Sequence, residues 1–179
     1  MPGATLIPHP TSARSAAATF AVEYERRAGQ LWLRFVVEGD PDRILWPIQA
    51  PPGRADDLWR HTCFEAFVST DDGYREFNLS PSGQWASYRF TGYREGMGAA
   101  EESVLVDGLD GGSDYVALEG RIDLPDGADR LGLSAVIEDV DGKTTYWALA
   151  HPSDKPDFHH PDSFTLVLPA PEFAGTQQP

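Results

Sequence analysis

From Phe20 to Leu168 apolar side chains recur at nearly every second position, the period of strands that bury one face. Phe20, Val22 and Tyr24 alternate with small or charged residues, a turn follows at Ala28-Gly29, and Leu31, Leu33, Phe35 and Val37 resume the alternation. That pattern predicts a hairpin. Further strands are predicted at 62–69, 74–80, 84–90, 115–124, 131–140, 144–150 and 163–168. The links between them carry turn chemistry at Asp72-Gly73, Ser82-Gly83, Asp126-Gly127 and Asp141-Gly142, and the segment GLDGGSD reads as another turn. Only 99–106 reads as a short helix. With 17 glycines and 15 prolines in 179 residues, short elements are favoured over long helices. No helical crossovers separate the strands, which excludes an α/β nucleotide fold. The chain is expected to be all-β, a sandwich or barrel in one domain. Residues 1–18 read as an extended lead-in and 170–179 as a frayed tail.

The formal charge of −14 argues against nucleic acid and anionic membrane as partners, since both require a basic face. The N-terminus lacks a basic start followed by an apolar run. A single cysteine, Cys63, rules out an intramolecular disulfide. The expected location is therefore cytoplasmic.

The segment 61–90 is the most informative. Two-residue turns at Asp72-Gly73 and Ser82-Gly83 would set Val68 opposite Phe77, and Phe77 opposite Tyr88. One face of the resulting meander then collects Phe64, Ala66, Val68, Phe77, Leu79, Ala86, Tyr88 and Phe90 as core. The other collects His61, Cys63, Glu65, Phe67, Glu76, Asn78, Ser80, Trp85, Ser87 and Arg89. Rings mixed with directional polar groups suit a sugar, whose C–H patch lies on an aromatic face while its hydroxyls need amide and carboxylate partners. The same face also reads as half-solvated sheet with cross-strand Glu–Arg pairs. A one-residue slip at Ser82-Gly83 would carry Trp85 into the core.

Three of the five histidines fall in the run HPSDKPDFHHPD. His151, Asp157 and His159 could hold a metal, although their spacing matches no zinc motif. The alternative is a proline-bracketed loop whose histidines bond to backbone. Glu65 and Glu76 share a face, as an acid/base pair would, and also as buried or ion-paired carboxyls would. Glu138 reads as a paired polar residue. There is no GxSxG elbow, and Cys63 on a strand reads as an inert thiol.

The segments LWRHTCFEAFV, YREFNLSPSGQWASYRF, GYREGM, AVIEDVDGKTTYWALAHP and PDFHHPDSF resemble the DOMON-like domains. These are relatives of family 9 carbohydrate-binding modules, and the likeness is to a bacterial subgroup also found appended to UDP-N-acetylenolpyruvoylglucosamine reductase. The resemblance runs from about Leu6 to Leu168 and implies a β-sandwich, of immunoglobulin-like or jelly-roll type, with roughly ten antiparallel strands. It also implies a ligand that is haem or sugar. Trp59, Glu65, Phe77, Asn78, Pro81 and Gly83 match the shared motif, and Trp85 follows it. The haem branch uses a Met and a His as axial ligands. Met97 is the only internal methionine here, and no histidine matches the pattern.

These readings favour a non-catalytic domain that binds a saccharide or sugar-derived small molecule. Its expected contacts are Trp59, His61, Glu65, Glu76, Asn78, Trp85, Arg89, Arg94, His151, His159 and His160, with no cofactor. A hydrolase using the histidine loop or the carboxylates, a haem-binding domain, and a protein-interaction module are the alternatives.

Overall fold

The computed structural model of the protein describes residues 1–170; the tail from 171 onward lies outside the described residues. Among the described residues fourteen strands run in chain order: β1 Gly3–Thr5, β2 Ile7–Pro8, β3 Ala17–Arg27, β4 Gln30–Gly39, β5 Gly53–Arg54, β6 Cys63–Thr70 and β7 Gly73–Leu79. They continue as β8 Gln84–Phe90, β9 Gly98–Ala99, β10 Val104–Gly111, β11 Tyr115–Asp123, β12 Arg130–Glu138, β13 Thr144–Ala148 and β14 Leu166–Val167. Nine of them have five residues or more. Among the described residues, helical structure is confined to three single 3-10 turns, at Pro41–Arg43, Leu58–Arg60 and Pro161–Ser163.

The strands form two sheets, one ordered β1-β3-β4-β11-β10 and the other β2-β13-β12-β6-β7-β8-β5, with β14 added beside β12 and β9 beside β8. All pairings are antiparallel except β5 with β8. This is a β-sandwich, one of the two architectures that the period-two pattern allows. Phe20, Leu33 and Phe35 from one sheet meet Phe64, Ala66, Phe77 and Leu79 from the other in a single core. Phe64 stacks on Phe35 at 5.1 Å and meets Phe20 edge-on at 5.6 Å. A Cβ on Gly120 would run into the Leu79 side chain of the opposite sheet, so a larger residue there would force that side chain to shift.

Four expectations at the level of elements are corrected. Residues 1–18 are more than an extended lead-in: β1 pairs with β3, β2 pairs with β13, and Leu6 between them is fully buried. The 99–106 stretch is not helical, because its second half begins β10. GLDGGSD is not wholly a turn, since β10 runs to Gly111 and only Gly112–Asp114 reverse the chain. The first meander turn lies at Asp71-Asp72, so Ala66 rather than Val68 opposes Phe77. That shift is two residues and leaves both faces unchanged.

At the second meander turn the shift is one residue, and it exchanges faces. Ser80 accepts a hydrogen bond from the Gly83 N–H, Ser80 N–H donates to Gln84, and Gly83 takes φ +90°. The loop is therefore three residues long, a type I turn started by Pro81 and closed by a left-handed glycine. Leu79 consequently opposes Trp85, and Phe77 opposes Ser87. Trp85 packs against the inner core beneath Arg54, whose guanidinium lies 4.7 Å above the indole. Ala86, Tyr88 and Phe90 face outward.

Candidate functional site

The outward face of the larger sheet is a grid set by strand register. Ser134, Glu65, Asn78 and Ala86 form one row across β12, β6, β7 and β8; Gly132, Phe67, Glu76 and Tyr88 form the next. Thr144 and Tyr146 of β13 extend the face on one side. A cleft of about 680 Å³ opens over this grid. Trp59 and Arg60 of a 3-10 turn, Arg94 and Met97, and the loop carrying Pro156, Phe158 and His159 form its walls. Loops on the outside and a sandwich on the inside explain why β6 is buried on both faces from Cys63 to Val68.

Its floor is polar. Glu65, Glu76 and Asn78 are only 3%, 5% and 0% exposed. Asn78 donates from Nδ2 to Glu76 Oε1 at 2.9 Å, and Ser134 Oγ reaches Glu65 Oε2 at 3.5 Å. Burial, and then the neighbouring Glu76 charge, push the Glu65 carboxyl well above the usual range. Burial also raises Glu76, against the hydrogen bond from Asn78 and the charge of Arg94. Beside Asn78 the Cys63 thiol is fully buried, and burial raises it far from ionisation, which makes it an inert group.

One wall is fixed by Asp157. Arg94 Nη2 donates to it at 2.8 Å, Tyr93 donates from its hydroxyl, and the His159 N–H donates at 3.2 Å. These bonds hold Asp157 below the usual carboxylate range despite the cost of burial. His159 is thereby seated against Phe67, Tyr74 and Phe90, with ring centroids 5.1, 5.8 and 5.1 Å away. The Tyr74 oxygen accepts from Arg94 N–H at 3.2 Å, so its hydroxyl proton is free to donate to His159 Nδ1 at 2.8 Å. That leaves the His159 proton on Nε2, which faces Glu76 Oε2 at 3.6 Å. Burial, reinforced by Arg94, lowers His159 to about 4, so the ring is neutral at physiological pH.

Of the residues expected at the site, Trp59, Glu65, Glu76, Arg94 and His159 line the cleft, and Asn78 lies beneath it on the same face. Trp85 and Arg89 do not: the three-residue loop at 81–83 turns both to the opposite face. His61 is exposed and pairs with Glu138 at 2.9 Å. His151 has its Nε2 2.8 Å from the Ile7 carbonyl oxygen and stands edge-on to His9. A carbonyl oxygen can only accept, so His151 Nε2 is the donor. His160 accepts from the Asp162 N–H and caps a 3-10 turn. His151, Asp157 and His159 therefore do not converge, and among the described residues no three ligating side chains form a metal-holding group. Met97 and His159 line the same cleft. Both His159 nitrogens, however, face protein groups, Tyr74 and Glu76, and the residues present do not fit a haem iron.

Sequence reasoning missed Tyr88 and Phe90, which it assigned to the core, and also Tyr146 and Phe158. The alternation of β13, with Thr145 and Trp147 buried inward, was the available signal for Tyr146. Phe158 sits in a loop and had none.

No protein-family model matches the chain, and no curated protein sequence matches it. Among solved structures, it is similar to a candidate carbohydrate-binding protein from Bacteroides uniformis, with a TM-score of 0.57 and 14% identity over 91% of this chain and 84% of that one. At that identity the likeness is one of fold.

Proposed function

We propose that the cleft on the outer face of the larger sheet binds a saccharide, without catalysis. The observation that carries this reading is the composition of the cleft: buried carboxyl groups on the floor and aromatic rings on the walls. Tyr88, Phe90, Tyr146, Phe158 and the half-exposed Trp59 offer ring surface to sugar C–H groups, while Glu65 and Glu76 present donors and acceptors to hydroxyls. The volume of about 680 Å³ lies within the range of small-molecule sites, about 300–1,000 Å³. The Bacteroides uniformis neighbour supports the reading through its fold, and kinship with the DOMON-like domains is part of the same proposal.

Trp59 is 47% exposed at the cleft mouth and lies outside both core clusters. Titration with a panel of mono- and oligosaccharides should therefore change tryptophan fluorescence. Trp59→Ala should weaken binding about tenfold, the order of about 1.4 kcal/mol for a lost ring contact, with the melting temperature preserved. Trp85→Ala should leave affinity within about twofold, since its indole is on the other face. The opposite ranking of the two variants would remove the cleft from consideration.

A further inference from the structure

The cleft floor holds more acceptors than its own donors satisfy. Two carboxyl groups lie diagonally on neighbouring strands. Asn78 serves Glu76 Oε1, whereas His159 Nε2 stands 3.6 Å from Glu76 Oε2, outside hydrogen-bonding reach. Ser134 touches Glu65 Oε2 at the limit of 3.5 Å. Glu65 Oε1 takes no hydrogen bond among the described residues, although the side chain is 3% exposed and lines the cleft. Three acceptor oxygens thus face the cleft poorly served.

The nearest cations have other partners, although the charge of Arg94 still acts on Glu76. Arg94 is committed to Asp157 and lies over Tyr93 at 5.8 Å; Arg60 pairs with Asp57 at 3.1 Å and lies over Trp59 at 5.2 Å. His159 is neutral. Tyr74 gives its proton to His159, Tyr88 gives its own to Asp56 at 2.6 Å, and Cys63 is a buried thiol. The rings of Tyr88, Phe90, Tyr146 and Phe158 line the same cleft, and aromatic faces attract ammonium groups.

We infer that the floor at Glu65 and Glu76 is a receptor for an ammonium group, which makes an amino sugar with a free amine the class of saccharide bound. The inference rests on the saccharide reading above. An ammonium offers three donors to the three poorly served oxygens, and its charge favours the ionised form of both carboxyl groups.

Calorimetric titration of the full chain at pH 6.5 with glucosamine, N-acetylglucosamine, glucose and cyclohexylammonium separates the possibilities. Glucosamine should bind at least tenfold tighter than the other two sugars. Glu65→Gln and Glu76→Gln should each bring that ratio close to one. Should either variant fail to fold, the wild-type ratio decides alone. Equal affinities for the three sugars overturn the inference and leave the saccharide reading standing. Cyclohexylammonium binding without any sugar overturns the saccharide reading and keeps an ammonium receptor, but not an amino-sugar one. No binding by any of the four overturns both.

Discussion

Phe64→Ala should lower stability by about 3–5 kcal/mol, the cost of emptying a phenylalanine site in a packed core. Phe64 is fully buried and lies between Phe20 and Phe35 of the smaller sheet. Truncation therefore removes a contact that joins the two layers, and the ring–ring geometry adds to the loss of apolar area. Urea unfolding should show an earlier midpoint with an unchanged slope, the mark of lost stability without a more compact unfolded state. A loss below about 1 kcal/mol would mean that the layers are not held together through this ring.

Acidification should unseat the loop that closes the cleft. His159 falls from 6.5 in the unfolded chain to about 4 in the folded one. A lowered value means that the folded state binds fewer protons than the unfolded state between those limits. The stability His159 contributes is thus fully present above pH 6.5 and lost as pH falls toward 4. The shift corresponds to about 3 kcal/mol. Glu65 acts in the opposite sense: its raised value gives stability that is greatest at acid pH and lost as pH rises. Comparing wild type with His159→Gln cancels the Glu65 contribution common to both. The wild-type advantage at pH 7.5 should fall by about 3 kcal/mol at pH 4. Imidazole resonances titrating near 6.5 in the folded protein would contradict the burial of this ring.

Much of the sandwich was legible because strand parity is robust to small errors. The 20–37 hairpin and the inward set Phe64, Ala66, Val68, Phe77 and Leu79 follow from alternation alone, and a two-residue error at the first meander turn left them in place. At 81–83 the same logic failed over a single residue. A two-residue turn puts Trp85 outside; the three-residue loop actually formed puts Tyr88 and Phe90 outside instead. Pro81 at the second position of the turn and Gly83 at the fourth were the local clue, and they outweigh the more familiar Ser-Gly pair.

The cleft was half legible for a related reason. Glu65, Glu76 and Asn78 are on adjacent strands of one meander, so parity alone brings them together. The histidine loop is arranged by contacts far along the chain. Asp157 pairs with Arg94, 63 residues away, and His151 with Ile7, 144 residues away. Clustering in sequence marked the loop as unusual, but only those long-range partners decide that His159 enters the cleft while His151 and His160 do not.

The location of a bound saccharide is most directly tested by a crystal structure of the protein soaked with the tightest-binding sugar of the panel. Density should lie over Glu65 and Glu76, against Tyr88 and Phe90, with Trp59 and Phe158 at its edges. Density elsewhere, on the outer face of the smaller sheet around Trp32 or beside Trp85, with the cleft empty at saturating sugar, would contradict the assignment of binding to this site.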